Sequence, residues 1–367
     1  MKLLRGKREM RLRGKKRGFV LASVLLVLSM VMSACGHNAP PASDSGSASG
    51  ANSDKPLAGK RVALIMEFNT GTFSQQYVQG VTEEVEKFGG KLTKFVAAND
   101  KAKMASLLDS AITQHFDLIL TDHGDSLLEP GLRKAVEQKI PVVVFDADVN
   151  VPGATVLSQD DQKMADLTLQ QMKENIGGKG NIVKVWVAGF APMERRQISY
   201  AKFMKENPDI KEIATFGTAN NPALDTQTQM EAILKQYPKG QISAVWAAWD
   251  EFAKGAARAI QQAGRDEIKV YGIDMSDEDL QMIQDPSNPW VASAAVDPKD
   301  IGRIQVRYGY QKLHGDQTED KVVLNPVYVS RDALPKEQIS TTELSQYVDG
   351  WGASKQGLQD WMNEYSK

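Results

Sequence analysis

After Lys60 the chain alternates a short apolar or β-branched run with an amphipathic stretch of helical length, and it does so in two successive series. The first series has runs at 61–68 ("RVALIMEF"), 91–98, 116–122 ("FDLILTD") and 141–148 ("PVVVFDAD"), joined by stretches such as "FSQQYVQGVTEEVEKF" at 73–88. Runs that are apolar throughout must be covered on both faces, and crossovers of this length return the chain parallel to itself. The second series has runs at 181–189, 210–217, 242–249, 268–275 and 290–296, with helical candidates starting near Glu194, Asp225, Asp250, Asp277 and Pro298. The expected fold class is therefore α/β, with two doubly wound parallel-sheet lobes. Lobe 1 is expected over 60–157 and lobe 2 over 158–298, with the following helix, 298–313, near the hinge. The isolated run "VVLNPVYV" (322–329) is expected to return to lobe 1 as an added strand, so that 322–334 completes that lobe. With crossings near 155–160 and 297–300, the lobes would be joined by a three-strand hinge. In open sheets of this kind ligands bind outside the carboxyl ends of the strands, which here line the cleft between lobes.

The first 34 residues have a basic start, an apolar run from about Phe19 to Met32, and small residues before Cys35. That is the plan of a secretory signal peptide, the apolar run being too short and wrongly flanked for a membrane span. Cys35 is the only cysteine, so no disulfide can form within one molecule. "MSAC" resembles the bacterial lipobox, with Met32 where leucine is usual. The resemblance implies lipidation of Cys35 and anchoring to the outer face of the cell membrane; the other reading is an ordinary signal peptide with an incidental cysteine. Residues 36–59 are rich in Ser, Gly, Ala, Pro and Asn and poor in large apolar groups, so 35–59 is expected to be a lipidated tether.

A formal net charge of −2 gives no basic surface for phosphates, and nucleic acid is not an expected partner. The histidines, His37, His115, His123 and His314, lack metal-ligand spacing, and neither a G-x-S-x-G elbow nor a P-loop is present. No metal, cofactor or enzymatic activity is expected, a two-lobed glycosidase being the formal alternative.

From Lys60 to Leu334 the chain resembles the type I periplasmic substrate-binding proteins of the ribose- and galactose-binding group. The resemblance is carried by "RVALIMEFNTGTFSQQYVQGVTEEVEKFG", "PVVVFDAD", "AVWAAWDEFAKGAARAIQQAG" followed by "IKVYGIDMSDE", and "AAVDPKDIG". It implies a monomeric protein that captures a sugar, polyol or sugar derivative between its lobes and presents it to an ABC permease in the membrane. A sensory receptor subunit signalling to a membrane kinase or chemoreceptor would use the same closed surface, and the residues leave the two open.

Sugar sites combine aromatic faces for ring C–H groups with carboxylates, amides or arginine for hydroxyls. The resemblance places Phe73 as a stacking aromatic and Asn69 as a hydroxyl contact or a turn residue. Asp146 and Asp274, each ending a strand, match hydroxyl-accepting carboxylates; Asp122 is either a further acceptor or a cap for the next helix. Arg196 or its neighbour Arg195 reaches into the cleft, Arg196 fitting the spacing better. The chain departs from the ribose pattern at Ala147, Val296 and the loop carrying Asn220 and Asn221, and Trp249 stands where an amide is usual. These departures imply a rearranged site in which Asn221 contacts ligand and Trp249 supplies a stacking face, or else packs beneath the hinge. Asp250 reads as a helix cap, and Trp186, Trp246 and Trp290 as core. Beyond Leu334, Leu358, Trp361, Met362 and Tyr365 form a helical i, i+3, i+4, i+7 stripe, so the extension 335–367 is expected to dock on a lobe, a partner-binding face being the other reading.

Overall fold

The computed structural model describes residues 55–352 and 354–366. The signal peptide 1–34, Cys35 and the tether as far as residue 54 lie outside the described residues. Lobe 1 opens with β1 (Arg61–Met66), α1 (Gly71–Lys87), β2 (Lys91–Val96), α2 (Lys101–Thr113), β3 (Leu118–Asp122), α3 (Glu129–Glu137), β4 (Val142–Phe145) and β5 (Thr155–Gln159). Lobe 2 follows with α4 (Asp161–Asn175), β6 (Gly180–Val185), α5 (Ala191–Glu206), β7 (Ile210–Phe216), α6 (Pro222–Gln236), β8 (Ala244–Ala247), α7 (Asp250–Gln262), β9 (Lys269–Ile273), α8 (Asp277–Gln284) and β10 (Trp290–Ala295). The chain then runs through α9 (Pro298–His314), β11 (Lys321–Leu324) and β12 (Val327–Ser330).

The two sheets repeat one strand order, β2-β1-β3-β4-β5-β11 and β7-β6-β8-β9-β10-β12. Every pairing is parallel except that of β12 with β10. The central strands β3, β4, β8 and the body of β1 are buried on both faces, as their unbroken apolar sequences require. Lobe 1 has a core on each side of its sheet, and Trp246 and Trp290 sit fully buried in the core of lobe 2.

The run 322–329 does not act as one strand. Its first half, β11, extends lobe 1 beside β5, and its second half, β12, joins lobe 2 beside β10. Pro326 lies between the two, where it interrupts the ladder and lets the chain cross. Crossings after Gln159, after Ala295 and at Asn325–Pro326 make the three-strand hinge. Helix α9 is an integral part of lobe 1, packed on α1, β3 and β4. Its approach to α1 depends on two glycines: a Cβ at Gly80 would lie 2.1 Å from the Lys299 carbonyl oxygen, and one at Gly302 would lie 2.4 Å from that of Tyr77.

The C-terminal extension packs on both lobes rather than one. Ile339, Leu344, Val348 and Trp351 enter the core of lobe 2, whereas Met362 and Tyr365 enter that of lobe 1, so the extension passes between lobes a fourth time. Its end, Asp360–Ser366, is a 3₁₀ helix. With three residues per turn, Met362 and Tyr365 share a face and Leu358 falls off it, 37% exposed. Tyr365 lies against Phe88, and its hydroxyl accepts the Leu57 amide at 3.1 Å. Residues 55–59, expected as tether, thus belong to the fold, because Leu57 is buried in the core of lobe 1 and its amide is held by Tyr365 from the C-terminal extension.

Candidate functional site

The carboxyl ends of both sheets converge on one cavity between the lobes, with about 690 Å³ of empty space including its mouth. Strand position decides which residues reach it. Lobe 1 contributes Phe68 after β1, Asp122 and His123 at the end of β3, Asp146 after β4 and Gln159 at the end of β5; Phe73 and Tyr77 enter from the first turns of α1. Lobe 2 contributes Val187 after β6, Phe190 and Arg196 from the start of α5, Trp249 after β8 and Asp274 after β9.

Asp146 and Asp274 occupy equivalent positions, each directly after the fourth strand of its sheet order, and both adopt left-handed backbone, with φ of 52° and 75°. Each amide is bonded to the next strand, Asp146 to the Leu157 carbonyl and Asp274 to that of Ala294. The sharp turn this conformation imposes costs about 1–3 kcal/mol in a residue other than glycine. It directs each carboxylate off the sheet edge into the cavity. Burial raises the pKa of both carboxyls. Arg195, His123 and Arg196 offset that rise at Asp146, and Arg196 offsets it at Asp274.

Both arginines of the pair are used. Arg196 is buried; its Nε donates to Asp161 Oδ1 at 2.8 Å, its Nη1 to the Ala248 carbonyl at 2.6 Å, and Nη1 and Nη2 approach Asp274 at 3.3 Å. Arg195 joins the lobes: Nε donates to Asp161 at 2.7 Å, Nη1 to Asp148 at 2.8 Å and Nη2 to Asp146 at 2.9 Å. Asp161, the first residue of α4 just past the first hinge crossing, therefore holds both guanidinium groups. Burial pushes its carboxyl up to about 6 against their attraction.

Asp122 is not a helix cap. It is buried, with Oδ1 2.7 Å from His123 Nδ1, and Asp125 caps the turn that follows. Burial works against protonation of His123, but Asp122, Asp146 and Glu67 outweigh it and raise its pKa to about 9. The His123 ring also lies 4.6 Å from that of Phe68. Trp249 is half-buried in the cavity wall, 5.9 Å from Phe68 across the lobe seam and 5.3 Å, edge-on, from Phe252 in its own lobe. It occupies the cap position of α7; Asp250 is the first helical residue, its carboxylate accepting the Glu251 amide and lying 3.4 Å from buried Lys254.

Two expected contacts do not reach the cavity. Asn69 is exposed, with Phe68 and Thr70 turned inward on either side of it. Asn221 is exposed at the start of α6 with left-handed backbone, and Ala219 faces the cavity instead. Phe68, Phe190, His123 and Gln159 went unrecognised in the sequence. Phe68, His123 and Gln159 lie at or just beyond a strand's carboxyl end, where counting outward from every strand would have found them, whereas Phe190 immediately precedes α5.

A profile of the periplasmic binding protein domain matches residues 62–317. The chain belongs to the periplasmic binding protein family. This binding protein is 26% identical to the xylitol-binding protein of Mycolicibacterium smegmatis over 311 residues, covering 82% of this chain and 84% of the relative. A solved 5-methylthioribose transporter solute-binding protein from Thermotoga lettingae, in complex with 5-methylthioribose, superposes with a TM-score of 0.80 at 33% identity, over 85% of this chain and 98% of that one. A sugar ABC transporter structure from Yersinia enterocolitica gives the same TM-score and identity, over 84% of this chain and 95% of that one.

Proposed function

We propose that this is the extracytoplasmic solute-binding subunit of an ABC importer, which captures a sugar, polyol or sugar derivative between its lobes and delivers it to a membrane permease. The observation that carries this reading is the pair Asp146 and Asp274, aimed from equivalent strand ends of the two lobes into one cavity beside Arg196. Carboxylates accept from hydroxyls, the guanidinium donates to them, and Phe73 and Trp249 offer faces to ring C–H groups. A ligand gripped from both lobes favours the closed form, and a permease can read closure as occupancy. The protein performs no chemistry in this account and acts as a monomer. Its relatives are named for xylitol binding, for sugar ABC transport and for 5-methylthioribose transport, which supports a polyhydroxylated ligand and favours transport over the sensory reading.

A thermal-shift screen of pentoses, hexoses, polyols and thiosugars tests the reading, since a ligand at 100 times its Kd adds about 2.7 kcal/mol to native stability. A flat response across the whole panel would overturn it. We also propose that Cys35 is diacylated and anchors the mature chain to the membrane through the tether. Mass spectrometry of the mature amino terminus should find the lipid on Cys35, and Cys35→Ser should leave no acyl chain; an unacylated wild-type terminus would remove the anchor.

A further inference from the structure

The cavity is polar at one end and apolar at the other, and the division follows strand order. On the hinge side the lining comes from β3, β4, β5 and β9, as Asp122 and His123, Asp146, Gln159 and Asp274, joined by Arg196, and the two ends meet where the His123 ring lies 4.6 Å from that of Phe68. Gln159 is 3% exposed; its Nε2 lies 3.5 Å from Asp146, and its Oε1 has no hydrogen-bond partner. A buried acceptor without a partner costs about 1–3 kcal/mol, so this atom calls for a donor from the ligand. Hydroxyl groups belong at this end.

Away from the hinge the lining comes from the residues after β1, β6 and β8 and from the start of α5. Phe68 lies 5.9 Å from both Phe190 and Trp249, and Val187 and Met193 complete the wall. None of these five side chains can bond a hydroxyl through an ordinary donor or acceptor except the Trp249 indole N–H. An unsubstituted sugar has hydroxyls around its whole edge, and those turned toward Phe190 and Val187 would lose water without compensation. A thioether or alkyl group would instead gain contact with aromatic rings.

We infer that the ligand is a sugar or polyol carrying one small, uncharged, apolar substituent, its hydroxyls against Asp146, Gln159, Arg196 and Asp274 and its substituent among Phe68, Phe190 and Trp249. This rests on the solute-binding reading above and narrows it. A charged substituent would lie among Phe68, Val187, Phe190, Met193 and Trp249, none of which carries a charge to pair with it.

Calorimetric titration with 5-methylthioribose and with ribose separates the two levels of the claim, because the probes differ at one substituent. The methylthio sugar should bind at least tenfold more tightly, and Phe190→Ala should reduce that ratio severalfold by opening the apolar end. Val187→Ser, a milder change in the same wall, should reduce it in the same direction and stands in if Phe190→Ala does not fold. Equal or tighter binding of ribose overturns the substituent and leaves the sugar-binding reading intact. A preference that survives both variants overturns its placement. Failure of every sugar and polyol tried removes the solute-binding reading and this inference together.

Discussion

Replacing Arg195 with alanine should weaken ligand binding without unfolding the protein, because Arg195 is the direct ionic tie between lobes at the cavity. Of its three carboxylate partners, Asp161 belongs to its own lobe and is kept whether the lobes are open or closed. Asp148 is largely exposed, and a pair there contributes little. Asp146 is buried across the seam, 2.9 Å from Nη2, and a charge-assisted hydrogen bond of that kind is worth about 1.5–3 kcal/mol. Taking about 2 kcal/mol as the share present only in the closed form, the closed-to-open ratio falls about 30-fold. Where closure limits affinity, Kd rises by up to the same factor. Arg195→Lys should fall between the two, since an ammonium keeps the charge and loses the fork. Calorimetric titration gives Kd, and small-angle scattering with and without ligand gives the change in dimensions. Unchanged affinity together with full ligand-induced compaction in Arg195→Ala would refute the assignment of this side chain to closure.

Other perturbations test separate parts of the fold. His123 has a folded pKa of about 9 against an ordinary 6.5, so its contribution is complete below about pH 6.5 and is lost as pH rises through 9. Its size is about 1–3 kcal/mol after discounting partial exposure, and denaturant unfolding of wild type and His123→Gln should differ by that amount at pH 6 and converge near pH 10; a constant difference would contradict it. Trp351 is 2% exposed, and its indole N–H donates to the Thr341 carbonyl at 2.8 Å. Trp351→Ala should therefore cost about 3–5 kcal/mol in chemical denaturation, and a loss under 1 kcal/mol would make the extension an appendage. Lys254, 1% exposed, lies 2.6–3.4 Å from carboxylates of Asp250, Glu251, Glu278 and Asp279. Lys254→Met should destabilise by about 3–5 kcal/mol at pH 7 and by less at pH 4, where the stranded carboxyls take up protons; an equal loss at both pH values would argue against charge as the cause.

The sheet architecture was legible because apolar runs and helical stretches repeat with little interruption, and the hinge count followed from where the pattern changed lobes. The division of 322–329 between sheets was not, since nothing local to "VVLNPVYV" says which sheet each half meets. Leu57 was read as tether because a lone leucine among polar residues has no partner until Tyr365, 308 positions away, is folded beside it. Within the site, the positions at strand ends, Asp122, Asp146, Trp249 and Asp274, fell in the cavity as the topology requires, and Phe73 and Arg196 arrived on helix amino-terminal turns. Asn69 did not, because in a loop a shift of one residue reverses which side chain turns inward, and Asn221 did not, because it occupies the cap position of α6 in left-handed backbone while Ala219 before it faces the cavity. Trp249 lines the cavity wall and also packs at near right angles against Phe252 of its own lobe, so a cavity-facing position and a core contact coexist in one side chain.

The central claim is that one ligand is held from both lobes through Asp146 and Asp274. Calorimetric titration of wild type, Asp146→Ala and Asp274→Ala with the tightest-binding sugar or polyol from the screen tests it most directly. The account predicts that each substitution weakens binding by about 2–4 kcal/mol, roughly 30- to 1000-fold, while circular dichroism and the ligand-free melting transition show a folded protein. Wild-type affinity in both variants would contradict it and move the site out of this cavity.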